Sequence, residues 1–209
     1  MPDLSTSLHV DMLNDAKRNG QPERDGLYGL HWGDPQRLDW LRFVRDEFLL
    51  PFVHPDRVGV EIGPGGGRWT RYLLTLARLY VVDFHQELLD ELARNFRAPG
   101  LFLVKNTGTD FPLIELESVD LVFSFGVFVH LDTPIIESYL DNIKTIIRPG
   151  ADVIIQYSDK TKEWARRNLT FSDNDPTRMC AMITARGYRI VREDRDKLPH
   201  SSIVHFTKD

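Results

Sequence analysis

Glu61, Gly63, Gly65 and Gly67 stand at alternate positions in the run Val58-Gly-Val-Glu-Ile-Gly-Pro-Gly-Gly-Gly67, with Arg68-Trp-Thr-Arg-Tyr-Leu-Leu behind it. Glycines at this spacing let a backbone bend sharply and bring its N–H groups against a ligand with no Cβ in the way. A helix that starts behind such a turn favours negative charge at its N-terminus. The dinucleotide-binding fingerprint wants glycine at the first, third and sixth positions of the turn. Counted from Gly63 the sixth position is Arg68, and counted from Gly65 it is Thr70, so that pattern fails in both frames. Asp83 ends Tyr80-Val-Val-Asp83, about 20 residues beyond Glu61, which is the separation of one βαβ unit. A carboxylate at that place suits a diol, because it is acceptor-only and can receive two hydroxyl protons. His130 and Asp159 each follow an apolar run. An imidazole can take a proton near neutral pH, and a carboxylate can orient it or an acceptor.

Those residues need a scaffold that gathers strand ends, and the hydrophobic pattern provides one. Val58, Val60 and Ile62 read as a buried strand before the glycine turn. Leu79–Val82, Leu101–Val104, Val119–Phe125 and Val153–Tyr157 read as further strands. Val119–Phe125 is a continuous apolar run, as in a parallel sheet covered on both faces. From Pro35 a helix is expected, with Leu38, Leu41, Val44 and Phe48 at helical spacing and Pro51 at its end. Helices are also expected over Glu87–Phe96, over Thr133–Ile147 closed by Arg148-Pro-Gly150, and over Pro176–Arg186 stopped by Gly187. Tyr188–Arg192 and Ile203–Thr207 make two closing strands, and the stretch to about Asp34 reads as irregular. This order predicts one α/β domain over residues 1–209, with 1–34 as an N-terminal arm and 35–209 as the core. Seven mostly parallel strands with helices on both faces place ligands outside the carboxyl ends of the strands. The residues singled out above fall at those ends.

The acidic-x-Gly-x-Gly-x-Gly run resembles motif I of the class I S-adenosylmethionine (SAM) methyltransferases, and the resemblance covers most of Val58 to Lys208. The small type-11-like group is the most similar. The resemblance implies a Rossmann-like class I methyltransferase fold, with SAM as cofactor and S-adenosylhomocysteine (SAH) as product. It gives Glu61 the task of orienting the glycine loop, and runs Gly63, Gly65 and Gly67 beneath the methionine part. Asp83 then accepts from the ribose hydroxyls. The family's third element, Gly-Asp-Ala-x-x-Leu-Pro, appears as Asn106-Thr-Gly-Thr-Asp-Phe-Pro112. Thr107 occupies the acidic position that normally meets the adenine, which makes Asn106, through its side-chain carbonyl, and Thr107 the candidates there. In the fourth element, Ser118 to Asp132, Ser124, Phe125 and Gly126 lie where the strand meets the methionine end.

Methyl transfer from a sulfonium is an in-line displacement, and holding the reacting atoms in line can supply roughly 7–11 kcal/mol. A hydroxyl acceptor is a poor acid, so a general base adds about 10²–10⁴-fold. His130 is the candidate base, and Asp159, in Tyr157-Ser-Asp159, is the candidate that orients the acceptor or a histidine. Gly26-Leu-Tyr-Gly-Leu-His-Trp-Gly-Asp34 combines glycine hinges with rings and reads as a lid. Tyr28 and Trp32 would then line the acceptor pocket, with Tyr157 and Trp164 as further substrate-side candidates. His200 and His205 read as packing or surface residues. Glu61–Leu74, Asp83–Phe96, Phe123–Asp132 and Gln156–Lys160 are similar to small bacterial sugar or glycan O-methyltransferases, among them the methylmannose polysaccharide 1-O-methyltransferase. That similarity implies O-methylation of a small-molecule or oligosaccharide acceptor. Small-molecule N-methylation, and SAM binding without turnover, stand as alternatives.

Composition narrows the partners. A net charge of −5 over 209 residues gives no support to broad nucleic-acid binding, which usually needs a basic face. The Asn/Asp-Pro-Pro-Tyr/Phe run common in nucleic-acid amino-methyltransferases is replaced by Ser124-Phe-Gly-Val127. A lone cysteine, Cys180, allows no internal disulfide. No apolar run approaches the ~20 residues of a membrane span, and the first residues lack the features of a signal peptide. A cytoplasmic protein, as monomer or homodimer, is expected. The histidines show no zinc spacing, and Mg²⁺ on scattered carboxylates such as Asp132 and Asp159 stays open.

Overall fold

The computed structural model describes residues 8–20 and 26–209. Its frame is a seven-stranded sheet in the order β3-β2-β1-β4-β5-β7-β6. The strands are β1 (Val58–Ile62), β2 (Arg78–Asp83), β3 (Leu101–Lys105), β4 (Val119–Ser124), β5 (Ile147–Ser158), β6 (Tyr188–Asp194) and β7 (Ser201–Lys208). β1 pairs in parallel with β2 and β4, β2 with β3, and β4 with β5. β7 runs antiparallel between β5 and β6. The strand order reverses beside β1, so the gap between the ends of β1 and β4 is where a doubly wound sheet opens for a ligand.

The alternation of side chains along the strands gives the sheet two apolar faces. Val60, Ile62, Val82, Val122, Ile155 and Phe206 belong to one core, with α5 (Thr133–Ile146) and α7 (Pro176–Ala185) over it. Val81, Leu121, Phe123, Ile154 and Ile203 belong to the other. That face is covered by α2 (Asp39–Phe43) and its continuation, by α3 (Thr70–Leu73) and by α4 (Gln86–Asn95). Central strands buried on both faces explain why β4 reads as an unbroken apolar run.

Three local readings need correction. The arm is not irregular throughout: α1 (Leu8–Arg18) forms because Leu13 and Ala16 fall on one buried stripe, while Lys17 and Arg18 favour its C-terminal turn. Leu13 and Ala16 pack with Tyr28 and with Leu88 of α4. The helix expected from Pro35 begins at Asp39, widens to π geometry over Val44–Leu49, and closes as a 3₁₀ turn over Leu50–Phe52. Leu41, Val44 and Phe48 keep the predicted buried stripe, and Leu38 is left at the start with its side chain exposed. Arg148-Pro-Gly150 does not separate α5 from a short strand. β5 already begins at Ile147, which pairs with Val119 before a register shift, so the turn signal sits inside a bulged strand.

Candidate functional site

The carboxyl ends of β1, β2, β3, β4 and β5 converge, and the glycine turn lies over the first of them. Gly63 N–H donates to Val82 O at 2.8 Å, and Ser124 Oγ donates to Ile62 O at 3.0 Å. The second bond fastens the end of β4 to β1 at the point where the strand order reverses. Ser124 is thus a strand tie, fully buried. Gly63 has φ +70°, and a Cβ there would lie 2.1 Å from Val127 Cγ2, so only glycine fits. Gly67 is held the same way by Phe96. Gly65 differs: a Cβ would meet nothing within 4 Å, so its backbone faces open space.

Glu61 is buried beneath the turn and accepts from Thr70 Oγ1 at 2.6 Å. Burial pushes its carboxyl up to about 8, against the pull of the Thr70 hydrogen bond and of nearby Arg68. Asp83 ends β2, also buried, and accepts from the backbone N–H of His85 at 2.8 Å. Burial raises its carboxyl to about 7. At the end of β3, Asn106 is fully buried and its Nδ2 donates to Gly108 O at 2.8 Å, while Oδ1 has no hydrogen-bond partner. A buried carbonyl oxygen without a donor is costly, and it is the acceptor an exocyclic amine requires. Thr107 is exposed, and its N–H and hydroxyl both bond Asp110 Oδ1.

The open backbone at Gly65, the carboxylate of Asp83 and the bare Oδ1 of Asn106 fit SAM: its methionine part, ribose diol and adenine amine in turn.

Phe125 packs on Trp69, with ring centroids 4.8 Å apart. Gly126 turns at φ +86° and donates its N–H to Gln156 Oε1 at 2.7 Å. Gln156 in turn donates to Ser201 Oγ at 2.7 Å, so the β4 loop is set by β5 and β7 together. His130 follows on the same loop. Its Nδ1 lies 2.9 Å from Thr170 O, and burial lowers its pKa. A carbonyl can only accept, so Nδ1 carries the proton and Nε2 is the lone-pair nitrogen.

The other site candidates have different surroundings from those expected. Asp159 is fully buried with both oxygens engaged: Oδ2 by Ser202 Oγ, Oδ1 by the N–H and hydroxyl of Thr161. These bonds make it an anchor for the turn after β5, and no histidine is among them. Tyr157 alternates onto the core face of β5, fully buried among the residues under α5 and α7, so it lines no acceptor pocket. Tyr28 lies against the glycine turn: a Cβ on Gly66 would stand 2.5 Å from Tyr28 O, and the charge of Asp83 reaches its hydroxyl. Trp32 packs edge-on against Tyr28. Trp164, in α6 (Glu163–Arg167), is 60% exposed and tilts against His200 at 5.7 Å.

Sequence reasoning set His200 aside, yet it belongs here, because the antiparallel course of β7 starts that strand beside the end of β5. Its ring meets Trp40 and Phe171, and Phe171 meets His130 at 5.3 Å. The arm also contributes a residue: His9 of α1 packs edge-on against His130 at 5.2 Å, and its charge state is coupled to His85 after β2. Burial lowers His9 to about 4, so it is neutral at physiological pH. Helix α1 therefore packs on α4 and reaches His130 on the loop after β4. Lys17 ties it to Glu91 of α4 at 2.8 Å. Among the described residues no cluster of three His, Cys, Asp or Glu forms a metal-ligand set, and no helix is long and apolar enough to cross a membrane.

Residues 60–155 match the sequence family described as a methyltransferase domain. No curated protein matches the chain in sequence. Among solved structures, a SAM-dependent methyltransferase from Mesorhizobium loti superposes with a TM-score of 0.68 at 11% identity, over 83% of this chain and 99% of that one. One from Aquifex aeolicus gives 0.63 at 15%, over 84% and 92%. Magnesium protoporphyrin IX methyltransferase from Synechocystis, with bound SAH, gives 0.59 at 13%, over 82% and 80%. The fold is that of the Rossmann-like methyltransferases, and with the family match it supports a SAM-dependent methyltransferase.

Proposed function

We propose that this chain transfers the methyl group of SAM to a hydroxyl of a small molecule, a sugar or oligosaccharide in particular. The observation that carries the oxygen-acceptor reading is the Nδ1 contact of His130 with Thr170 O at 2.9 Å. It fixes the tautomer that leaves a basic nitrogen for an acceptor proton, and burial keeps that imidazole neutral. An amine acceptor would need less help from such a base.

The cofactor, when bound, supplies an electrophilic methyl on a sulfonium. The protein's own residues hold and orient. Asp83 would receive the ribose hydroxyls, Asn106 Oδ1 the adenine amine, and the open backbone at Gly65 would take the methionine part. Glu61 and Thr70 keep the turn in shape from below. Ser124 and Gln156 set the β4 loop that presents His130. His130 Nε2 would take the proton of the acceptor hydroxyl while its oxygen accepts the methyl group and SAH leaves. α1 with residues 26–34 acts as the lid that excludes water.

The test is transfer of labelled methyl from SAM to a panel of mono- and oligosaccharides and a matched panel of amines. Methyl ethers on a glycan, lost in His130→Ala, support the reading. Turnover of an amine with no ether from any glycan removes it.

A further inference from the structure

We propose that the acceptor end of this site is built to receive an oxyanion carried by the acceptor, a carboxylate or a phosphate, and that Arg68 recognises it. The inference rests on the methyl-transfer reading above and narrows its substrate class.

Arg68 leaves the glycine turn as α3 approaches, and its guanidinium folds over Trp69 and Phe125, 5.9 and 5.5 Å from their centroids. Its Nη2 comes within 3.8 Å of where a Cβ on Gly126 would stand, which places it at the β4 loop that presents His130. Among the described residues its hydrogen bond goes from Nη1 to Gly33 O, at a long 3.4 Å. A guanidinium offers five N–H donors. The carboxylates that influence it, Glu61 and Asp34, are committed elsewhere, Glu61 to Thr70 and Asp34 to Arg71. Neither forms an ion pair with it. Burial lowers Arg68 only to about 10, so it remains charged at neutral pH. A half-buried guanidinium held by one long bond and two ring faces lacks the anion such a group normally has.

The surroundings share that sign. His200, whose Nδ1 is buried with no hydrogen-bond partner, is acted on by Lys162, Arg68 and His130, with no carboxylate among its influences. Lys162 donates to Leu198 O and Ser201 O and stands 3.8 Å from Asp159, so its charge is partly offset. At the cofactor end stand two carboxyls, Asp83 at the end of β2 and Glu61, which burial keeps largely protonated at neutral pH. The site thus runs from acidic to basic, and the methyl acceptor enters at the basic end. A planar guanidinium can hold a carboxylate or phosphate through two parallel bonds, which lysine cannot.

The cofactor's own carboxylate is the competing source of an oxyanion, and the test separates the two. SAH-loaded protein is titrated calorimetrically with inorganic phosphate, glucose 6-phosphate and glucose, as wild type, Arg68→Gln and Arg68→Lys. SAH and decarboxylated SAH are titrated into each unloaded protein. The expected result is binding of both phosphates and not glucose, weakened at least tenfold in R68Q and less in R68K, with SAH affinity within about threefold throughout. Phosphate binding equal in R68Q and wild type, or absent from wild type, overturns the inference. So does loss of SAH affinity in R68Q without loss for the decarboxylated analogue, which would give Arg68 to the cofactor. No SAH binding by wild type would instead remove the methyl-transfer reading, and this inference with it.

Discussion

His130 Nδ1 meets the carbonyl oxygen of Thr170 at 2.9 Å, so a loop 40 residues downstream decides which nitrogen of this ring is basic. His130→Ala removes the proposed base but none of the residues proposed to hold the cofactor. It should lower kcat with a hydroxyl acceptor by about 10²–10⁴-fold and leave SAH affinity nearly unchanged, which initial rates and calorimetry would show. Because burial depresses the pKa, the acid limb of the rate profile should lie below the ordinary histidine value near 6.5. A limb at or above that value would count against His130.

Asp83 must be ionised to accept from a diol, and burial has raised it to about 7. SAH affinity should therefore fall as pH drops through 7, by up to about tenfold per unit. Asp83→Asn should weaken SAH by on the order of 1.5–3 kcal/mol and flatten that dependence. Titrations at pH 8 and pH 6 check both points.

Glu61 makes the opposite kind of claim, about folding. Its carboxyl is raised from 4.5 to about 8, so the folded protein holds a proton that the unfolded chain has lost. Stability contributed by that proton is full below 4.5 and declines as pH rises through 8. Glu61→Gln removes the decline. The variant should gain on the order of 2–4 kcal/mol over wild type on going from pH 4 to pH 9, as read from denaturant midpoints.

Two glycines two residues apart should fail differently. Gly63→Ala drives a Cβ into Val127 and should destabilise the fold. Gly65→Ala meets open space, so its cost is the left-handed backbone alone, about 1–2 kcal/mol. Its larger effect should be on SAH affinity, because the methyl enters the room the cofactor needs. Thermal unfolding with and without SAH separates the two variants.

The arm can be tested as a lid by deleting residues 1–20. Contacts worth about 1–2 kcal/mol would correspond to roughly five- to thirtyfold faster SAH release, measured by stopped-flow. An unchanged residence time would leave α1 as a packing element only.

The parts of the fold that were legible in the sequence are those with short-range causes. The glycine turn, the strand-end Asp83 and the apolar periods of β1 to β4 announce themselves within a few residues. The misread parts depend on distant partners. Arg148-Pro-Gly150 looks like a stop until β5 is seen to pair with Val119. Asp159 reads as a residue that orients the acceptor or a histidine and Tyr157 as a substrate-side residue, because both end β5; in the fold one accepts from Ser202 and Thr161 and the other lies in the core. His200 was invisible for the same reason: only the reversed strand β7 carries it to the site. α1 was missed because its buried stripe is short, resting on Leu13 and Ala16.

That reversed strand also governs how the protein is made. Ile155 of β5 pairs with Val204 of β7, so the inner edge of β5 emerges from the ribosome roughly 50 residues before its partner. At about 5–20 residues per second that edge, carrying Val153, Ile154 and Ile155, waits on the order of 2–10 s unpaired. During that interval the nascent chain presents a bare hydrophobic strand edge, the kind of surface that recruits chaperones or seeds aggregation. Slow codons between β5 and β7 would lengthen the exposure.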